Sequence, residues 1–425
     1  MSSREPWTDI GVADICEAIT DCLNRTAPTV DVITPYMMIR TTNVRDGWID
    51  LSTVKYVDRP TYEKWTRRQV PRRGDIVLTR EAPLGEVGII RSDDHVFLGQ
   101  RLVSYRVDPA KADERFLLYA FQERYLQGQI KALGSGATVE HMRVPDAKRL
   151  RVKLPPLPTQ RRIASILSAY DDLIENNTRR IAILEEMARR LYEEWFVHFR
   201  FPGHEDHRLT ESELGQVPES WEVKTVSDVF EVVGGGTPSK KEPEYWEGGA
   251  INWFSPTDLT RAGTSFMDRS GFQITDLGLS KSSARLFPAR SVMMTSRATI
   301  GAIAINTTEA CTNQGFITCI PSERFPLYVL FHWLNGNVET FVNLGTGATF
   351  KEITKGTFKT IPLVVPPVAL AQCFEETVAP MMEQVLNLQR KNTNLRAQRD
   401  LLLPKLVSGE IDVSQAEKDL ETAVA

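Results

Sequence analysis

A tandem repeat constrains this chain more than any other feature. Gly134-Ser135-Gly136-Ala137-Thr138 returns as Gly345-Thr346-Gly347-Ala348-Thr349, and Leu154-Pro155-Pro156-Leu157 returns as Val365-Pro366-Pro367-Val368. Both copies lie 211 residues downstream, so no insertion separates the two landmarks. Nearer the start, Trp7, Val12, Asp14 and Glu17 match Trp221, Val226, Asp228 and Glu231 at a spacing of 214. Between these anchors the halves diverge. One frame carrying two unlike inserts implies an architecture built twice and turned on two different objects.

Each half reads as a mixed α/β globule followed by a long helix. In the first, Asp75–Thr79 and Glu86–Ile90 alternate like short strands around Pro83-Leu84-Gly85; in the second, Ser291–Thr295 and Ala302–Ile305 flank Ile300-Gly301. Arg115–Lys131 and Pro326–Val342 have the spacing of amphipathic helices leading into the glycine loops. The expected organisation is a globule over 1–157, a long helix over 158–200, a polar linker over 201–220, a second globule over 221–367, a second helix over 368–407 and an acidic, frayed tail over 408–425.

The long helices carry the most regular pattern. Ile163, Leu167, Tyr170, Ile174, Asn177, Ile181, Leu184, Ala188, Leu191 and Trp195 keep a strict 4-3 spacing, and so do Phe374, Val378, Met381, Val385, Leu388, Asn392, Leu395, Arg399, Leu402 and Leu406. A sustained 3.5-residue period predicts a narrow apolar seam and left-handed pairing with another helix. Antiparallel pairing sets Asn177 opposite Asn392, Ala188 against Met381 and Arg399 beside Tyr170. Parallel pairing strands both amides in an apolar seam, at a cost of a few kcal/mol. The expected fold class is therefore α+β: two mixed α/β globules in tandem, joined by two long helices in an antiparallel coiled coil. The 32 steps from Ile163 to Trp195 span roughly 48 Å at 1.5 Å per residue. The competing reading packs each helix on its own globule.

Composition narrows the function. Hydrophobic content of 42% and charged content of 25% fit an ordinary globular protein. No apolar run approaches the ~18 residues of a membrane span, and the start of the chain lacks a signal core, so the expected location is the cytoplasm, without membrane contact. Cys16, Cys22, Cys311, Cys319 and Cys373 form no C-x-x-C pair and read as reduced thiols. The net charge of −4 argues against non-specific coating of nucleic acid, though not against a local basic face.

Catalytic motifs are missing. No G-x-x-x-x-G-K-[ST] loop is present, the two glycine loops lack the third glycine of a dinucleotide fingerprint, and no Asn or Asp precedes Pro155-Pro156 or Pro366-Pro367 as in amino-methyltransferases. His198, His204 and His207 with Glu205 and Asp206 sit in a polar stretch without a matching cysteine, so no metal site is expected.

Binding equipment remains. Lys55, Arg59, Lys64, Arg67, Arg68, Arg72, Arg73 and Arg80 face only Asp58, Glu63 and Asp75 in number, with Tyr56, Tyr62 and Trp65 interleaved. Such a stretch suits phosphate contacts; its competing reading is a solvated charged face. Arg80-Glu81 matches Ser296-Arg297, Gln100-Arg101 matches Gln314-Gly315, and His141 falls near the position of Glu352. Arg and Gln read guanine and adenine edges through paired hydrogen bonds. Candidate contacts in the first half also include Arg40, Asn43 and Thr138. In the second half they include Thr257, Asp258, Asn313, Thr349 and Lys351.

With these features in place, the chain resembles a specificity subunit of a Type I restriction-modification system, over nearly its whole length. The resemblance rests on the repeat, the Gly-x-Gly-Ala-Thr loops, the proline pairs before the long helices, and the helix ends Arg190–Val197 and Leu402–Ile411. It implies two target-recognition domains that each read half of a bipartite, asymmetric duplex DNA site, with the helices fixing the unread spacer. It further implies two modification subunits carrying S-adenosylmethionine and restriction subunits using ATP with Mg2+, the chain itself binding no cofactor and catalysing nothing. The alternatives are a stand-alone bipartite DNA-binding scaffold or regulator, and a self-contained methyltransferase, for which the motifs are lacking.

Overall fold

The computed structural model describes residues 7–136, 140–347 and 350–413. It divides into two compact units, Met1–Ile174 with Asn394–Ala425, and Glu175–Thr393. Each unit therefore takes a globule and a piece of both long helices, cutting across the linear order of domains expected from the sequence.

In the first unit Cys16–Asp21, Leu102–Val107, Ile76–Arg80 and Leu84–Ile89 form an antiparallel sheet in that order. Alternation gives the sheet two apolar faces. Ile76, Leu78, Val103 and Tyr105 join the helix residues Phe116, Leu117 and Phe121 in the main core, while Val77 and Leu102 join Ile39, Val96 and Leu98 beneath a second sheet. That second sheet runs Lys55–Tyr56, Tyr36–Ile39, His95–Leu98, the last pair parallel. A separate antiparallel pair, Thr8–Gly11 with Arg151–Leu154, leads into the first long helix.

The second unit repeats the plan. Glu231–Gly234, Phe316–Ile320, Val292–Thr295, Ile303–Asn306 and Phe266–Met267 make one sheet; Phe272–Ile274, Ile251–Phe254 and Ala310–Thr312 make the other; Glu222–Thr225 pairs with Pro362–Val365 ahead of the second long helix. The helix expected over Arg115–Lys131 is two helices, Glu114–Gln122 and Arg124–Leu133. Glu123 between them is extended and its carboxylate accepts from the Tyr125 amide at 2.6 Å, a cap that hydrophobic spacing does not reveal. The second copy breaks likewise into Leu327–Gly336 and Val338–Leu344.

The first long helix spans Leu157–Tyr192 and continues as a π-helical turn over Glu193–Val197; the second spans Val368–Val407. Within each unit their segments run antiparallel. In the second unit Asn177 Nδ2 donates to Asn392 Oδ1 at 2.9 Å, and Asn392 Nδ2 donates to Thr178 Oγ1 at 3.2 Å. The neighbours of this layer depart from the expected seam. Asp171, Tyr192 and Met382 are buried where Tyr170, Leu191 and Met381 were expected. Arg399 donates to Asp171 Oδ1 at 2.7 Å, so its partner is a carboxylate rather than the Tyr170 ring. The physical reason is that each helix also packs on a globule: Asp171 bonds Tyr119 of the first, while Tyr192 of the first helix and Met382 of the second lie in the second globule's core. The buried stripe is then wider and drifts toward a 3.6-residue period. Pairing therefore coexists with packing on the globules, though the C-terminal part of each helix packs in the core of the other repeat's globule, not its own.

The stretch 201–220 holds an antiparallel hairpin, Leu209–Ser212 with Gly215–Pro218, and buries Phe201 and Val217. Of the expected tail, Ile411 packs against the first core and Val413 is buried in it; residues 414–425 lie outside the described residues. Among the described residues no helix is long and apolar enough to cross a membrane.

Candidate functional site

The two glycine loops and the two strand-hairpin tips come together through one backbone network, built twice. In the first unit Ser135 and His141 exchange amide hydrogen bonds at 3.0 and 2.9 Å, the Met142 amide donates to the Arg80 carbonyl at 2.9 Å, and the Arg80 amide donates to the Arg101 carbonyl at 2.8 Å. In the second, Thr346 and Glu352 exchange bonds at 3.0 and 2.8 Å, the Ile353 amide donates to Ser296 at 3.0 Å, and the Ser296 amide donates to Gly315 at 2.8 Å. Glu81 forms a β-bridge with His141, and Arg297 forms one with Glu352. The backbone explains the glycines: Gly136 and Gly347 sit at φ 126° and 123°, and a Cβ on Gly347 would lie 2.3 Å from the Phe350 carbonyl oxygen. The hairpin tips share positive φ at Ala82 and Ala298 as well. Non-glycine residues rarely hold that conformation, and it clusters at functional sites.

On this common frame the side chains differ. Glu81 Oε2 lies 3.4 Å from Arg101 Nε and 3.6 Å from His141 Nδ1. At the matching place Arg297 Nε lies 3.7 Å from Glu352 Oε2, so the acid and the base have changed strands. Beside each site a threonine meets a glutamine: Thr26 Oγ1 is 3.1 Å from the Gln100 amide, and Thr237 Oγ1 donates to Gln314 Oε1 at 2.6 Å. Thr138 and Thr349 lie outside the described residues.

Other candidates serve the frame. Arg80 is 8% exposed and its Nη1 donates to the Met142 carbonyl at 3.1 Å. Asn43 is buried, accepts from the Arg40 amide and donates to Thr53 Oγ1, while Arg40 Nη2 donates to the Thr53 carbonyl. Ser296 is buried, Asp258 accepts from the Ser255 and Gly271 amides, and Asn313 Oδ1 accepts from the Gly315 amide at 2.8 Å. Such bonds hold loops in shape and leave these groups little to offer a ligand. Thr257, Arg297, Gln314 and Lys351 are exposed in the second unit, and Arg67, Arg73 and Arg101 in the first.

The basic run Lys55–Arg80 begins in the strand Lys55–Tyr56 and continues into the helix Arg59–Trp65, started by Asp58, which accepts from the Thr61 amide. That hydrogen bonding holds the Asp58 carboxyl below its usual range. Arg59 pairs with Glu63, Arg68 with Asp21, and Arg72 with Glu17 at 3.0 Å, so part of the positive charge is met locally. Burial pushes the Tyr62 phenol up, and its ring packs on Tyr36 and Phe97; it belongs to the core. Trp65, Lys64, Arg25 and Pro28 line an open cavity of about 560 Å³ next to Thr26, hence next to Gln100. Sequence reasoning placed Glu81 and Glu352 at matched positions without making them candidate contacts, and it passed over Arg25. The signal for the two acids was the reversed charge at matched positions.

Metal chemistry has no assembled ligand set among the described residues. His204 Nδ1 lies 2.9 Å from the Phe201 carbonyl, and His207 faces Ser220.

Comparison with known proteins agrees with this duplicated frame. A family profile described as the Type I restriction modification DNA specificity domain matches residues 5–186 and again 218–394. The Type I restriction enzyme MjaIX specificity subunit of Methanocaldococcus jannaschii is 25% identical over 387 residues, 87% of each chain. The HindI specificity subunit of Haemophilus influenzae is 24% identical over 354 residues, 70% of this chain and 76% of that one. Among solved structures, the S subunit of a Type I restriction-modification system from M. genitalium superposes with a TM-score of 0.58 at 17% identity, covering 96% of this chain and 97% of that one; this likeness is one of fold.

Proposed function

The chain belongs to the Type I restriction-modification DNA specificity family, and from that premise we propose that its two globules read the two unlike halves of one bipartite, asymmetric duplex site. The observation that carries this reading is the hairpin-and-loop network, constant in backbone and different in side chains between the repeats. Constant backbone gives each globule the same approach to a duplex. Changed side chains give each a different set of donors and acceptors for base edges. Exposed Arg67 and Arg73 add phosphate contacts, which hold the protein on the duplex without selecting a sequence.

The chain's own work is recognition. Two modification subunits bearing S-adenosylmethionine would dock on it and receive the target adenines, flipped out of the duplex. Restriction subunits using ATP and Mg2+ would supply translocation and cleavage. The paired helices would set the unread spacer between the half-sites, so lengthening both by a heptad should change the spacer and leave the specified bases alone.

The test is genome-wide mapping of methylated adenines in a host expressing a cognate modification subunit, with and without this chain. The expected result is a two-block motif present only with the chain. Soluble expression of both proteins with no such motif would favour a stand-alone bipartite DNA-binding scaffold or regulator.

A further inference from the structure

We propose that Glu81 and Glu352 are positioning residues for guanine-reading arginines, and that the two repeats invert which strand supplies the reader. In the first repeat the hairpin carboxylate Glu81 orients Arg101, with His141 on its other side. In the second the loop carboxylate Glu352 orients the hairpin's Arg297. This deepens the duplex-reading function proposed above and rests on it.

Four observations converge. The residues occupy matched places, because the backbone bonds around them correspond one for one: Arg80 to Arg101 and Met142, Ser296 to Gly315 and Ile353. The charge order is reversed across that match, base on the loop side and acid on the hairpin in one repeat, the opposite in the other. The arginines remain reachable, Arg101 at 51% and Arg297 at 52% side-chain exposure, despite their carboxylate neighbours. Finally, Arg101 holds φ 70°, a left-handed conformation disfavoured for a residue with a Cβ and not shared by Gly315 at the matching place. The strain is peculiar to the first repeat, where the arginine is the proposed reader, and strained backbone of this kind clusters at functional sites.

The chemistry gives the carboxylates a task. An acid on a surface meant for phosphates is unfavourable on its own, so its presence needs a local return. A guanidinium has five donors in a planar fork, and a carboxylate near Nε leaves the far edge to address two acceptors at once. Guanine O6 and N7 in the major groove are that pair of acceptors. Fixing the fork beforehand also reduces the side-chain freedom lost on binding. An ordinary exposed ion pair at 3.4 to 3.7 Å would do none of this and would be silent in binding.

The experiment is selection of a randomised duplex library by the full chain, followed by sequencing, for the wild type and for Glu81→Gln, Glu352→Gln, Arg101→Lys and Arg297→Lys. The wild type should enrich two specified blocks. Arg297→Lys should lower guanine preference at one position of one block by about tenfold, since an ammonium cannot form the paired bonds. Glu352→Gln should relax that same position roughly threefold or more, and Glu352→Asp should restore part of the preference. Arg101→Lys and Glu81→Gln should do the same in the other block. The salt dependence of binding should hold throughout, because no phosphate contact is removed. Glutamine variants that keep wild-type preferences, or that weaken all positions equally, overturn the positioning role while leaving duplex reading intact. A wild-type chain that enriches nothing overturns the duplex-reading function itself, and this inference with it.

Discussion

The ends of the paired helices offer a controlled comparison, because residues 211 apart are the same place in two copies. In the first unit Asp171 is buried and accepts from Arg399 at 2.7 Å and from Tyr119 at 2.6 Å. At the equivalent places in the second unit stand Met382, Ala188 and Leu330, all buried in one apolar cluster. Near the middle Asn177 meets Asn392, while their repeat equivalents, Leu388 and Ile181, are apolar. The frame thus accepts either a polar network or plain packing at the same address. Polarity at these layers is therefore a choice about pairing more than a need of the fold. A charged or amide layer is satisfied in one register only, whereas Met against Ala tolerates slippage.

The strongest way to break this comparison is to rewrite the first unit in the second unit's residues. Arg399→Ala or Asp171→Met alone should cost about 3 kcal/mol, since each leaves a buried charge or phenol short of its partner. The double variant should recover most of that loss, and adding Tyr119→Phe should recover more; urea melts read all of these. If the double costs as much as the singles added together, the pair is not coupled and the layers carry no register information. Next in size, Asn177→Leu or Asn392→Leu alone should cost about 2 kcal/mol, and the two together should be near neutral.

A titration separates the units at a third matched position. Glu375 of the second repeat corresponds to Ala164 of the first. Its carboxylate accepts from the Tyr328 amide at 2.8 Å, and burial pushes it up to about 7. A folded-state value above the unfolded one means that the native state binds the extra proton. That contribution is fully present below the unfolded value and is lost as pH rises through about 7. Glu375→Gln should therefore match the wild type near pH 4.5 and exceed it at pH 8, by on the order of 1–3 kcal/mol. Buried His332 moves the other way, held down to about 4 by burial, but it is common to both proteins and cancels in the difference. Smallest of all, Arg67→Ala should lower the salt slope of DNA binding by about 0.9. Arg68→Ala should lower it less, because Asp21 already meets that charge.

The sequence disclosed the repeat, the tandem globules and the helix pair, because landmarks without gaps and a long apolar period survive divergence. It misplaced single seam positions where two packing surfaces share one helix. Tyr170 and Asp171 are adjacent, and only the presence of Arg399 and Tyr119 decides which of them is buried. The hairpin of 209–218 escaped notice because four-residue strands are too short to show alternation. The site was legible as a pair of matched loops. Which members face outward was not, since Arg80 and Arg101 look alike in sequence while one is buried and the other exposed. Acidic Glu81 and Glu352 were visible as matched positions but not as members of the site, because negative charge is not what a phosphate surface is searched for.

Independence of the two repeats is the central claim, and exchange tests it most directly. Residues 221–367 would be replaced by the equivalent region of a relative, and methylated adenines mapped in a host supplying the modification subunit. The account predicts that one specified block changes while the other block stays as it was. A change in both blocks, or in neither, would contradict it.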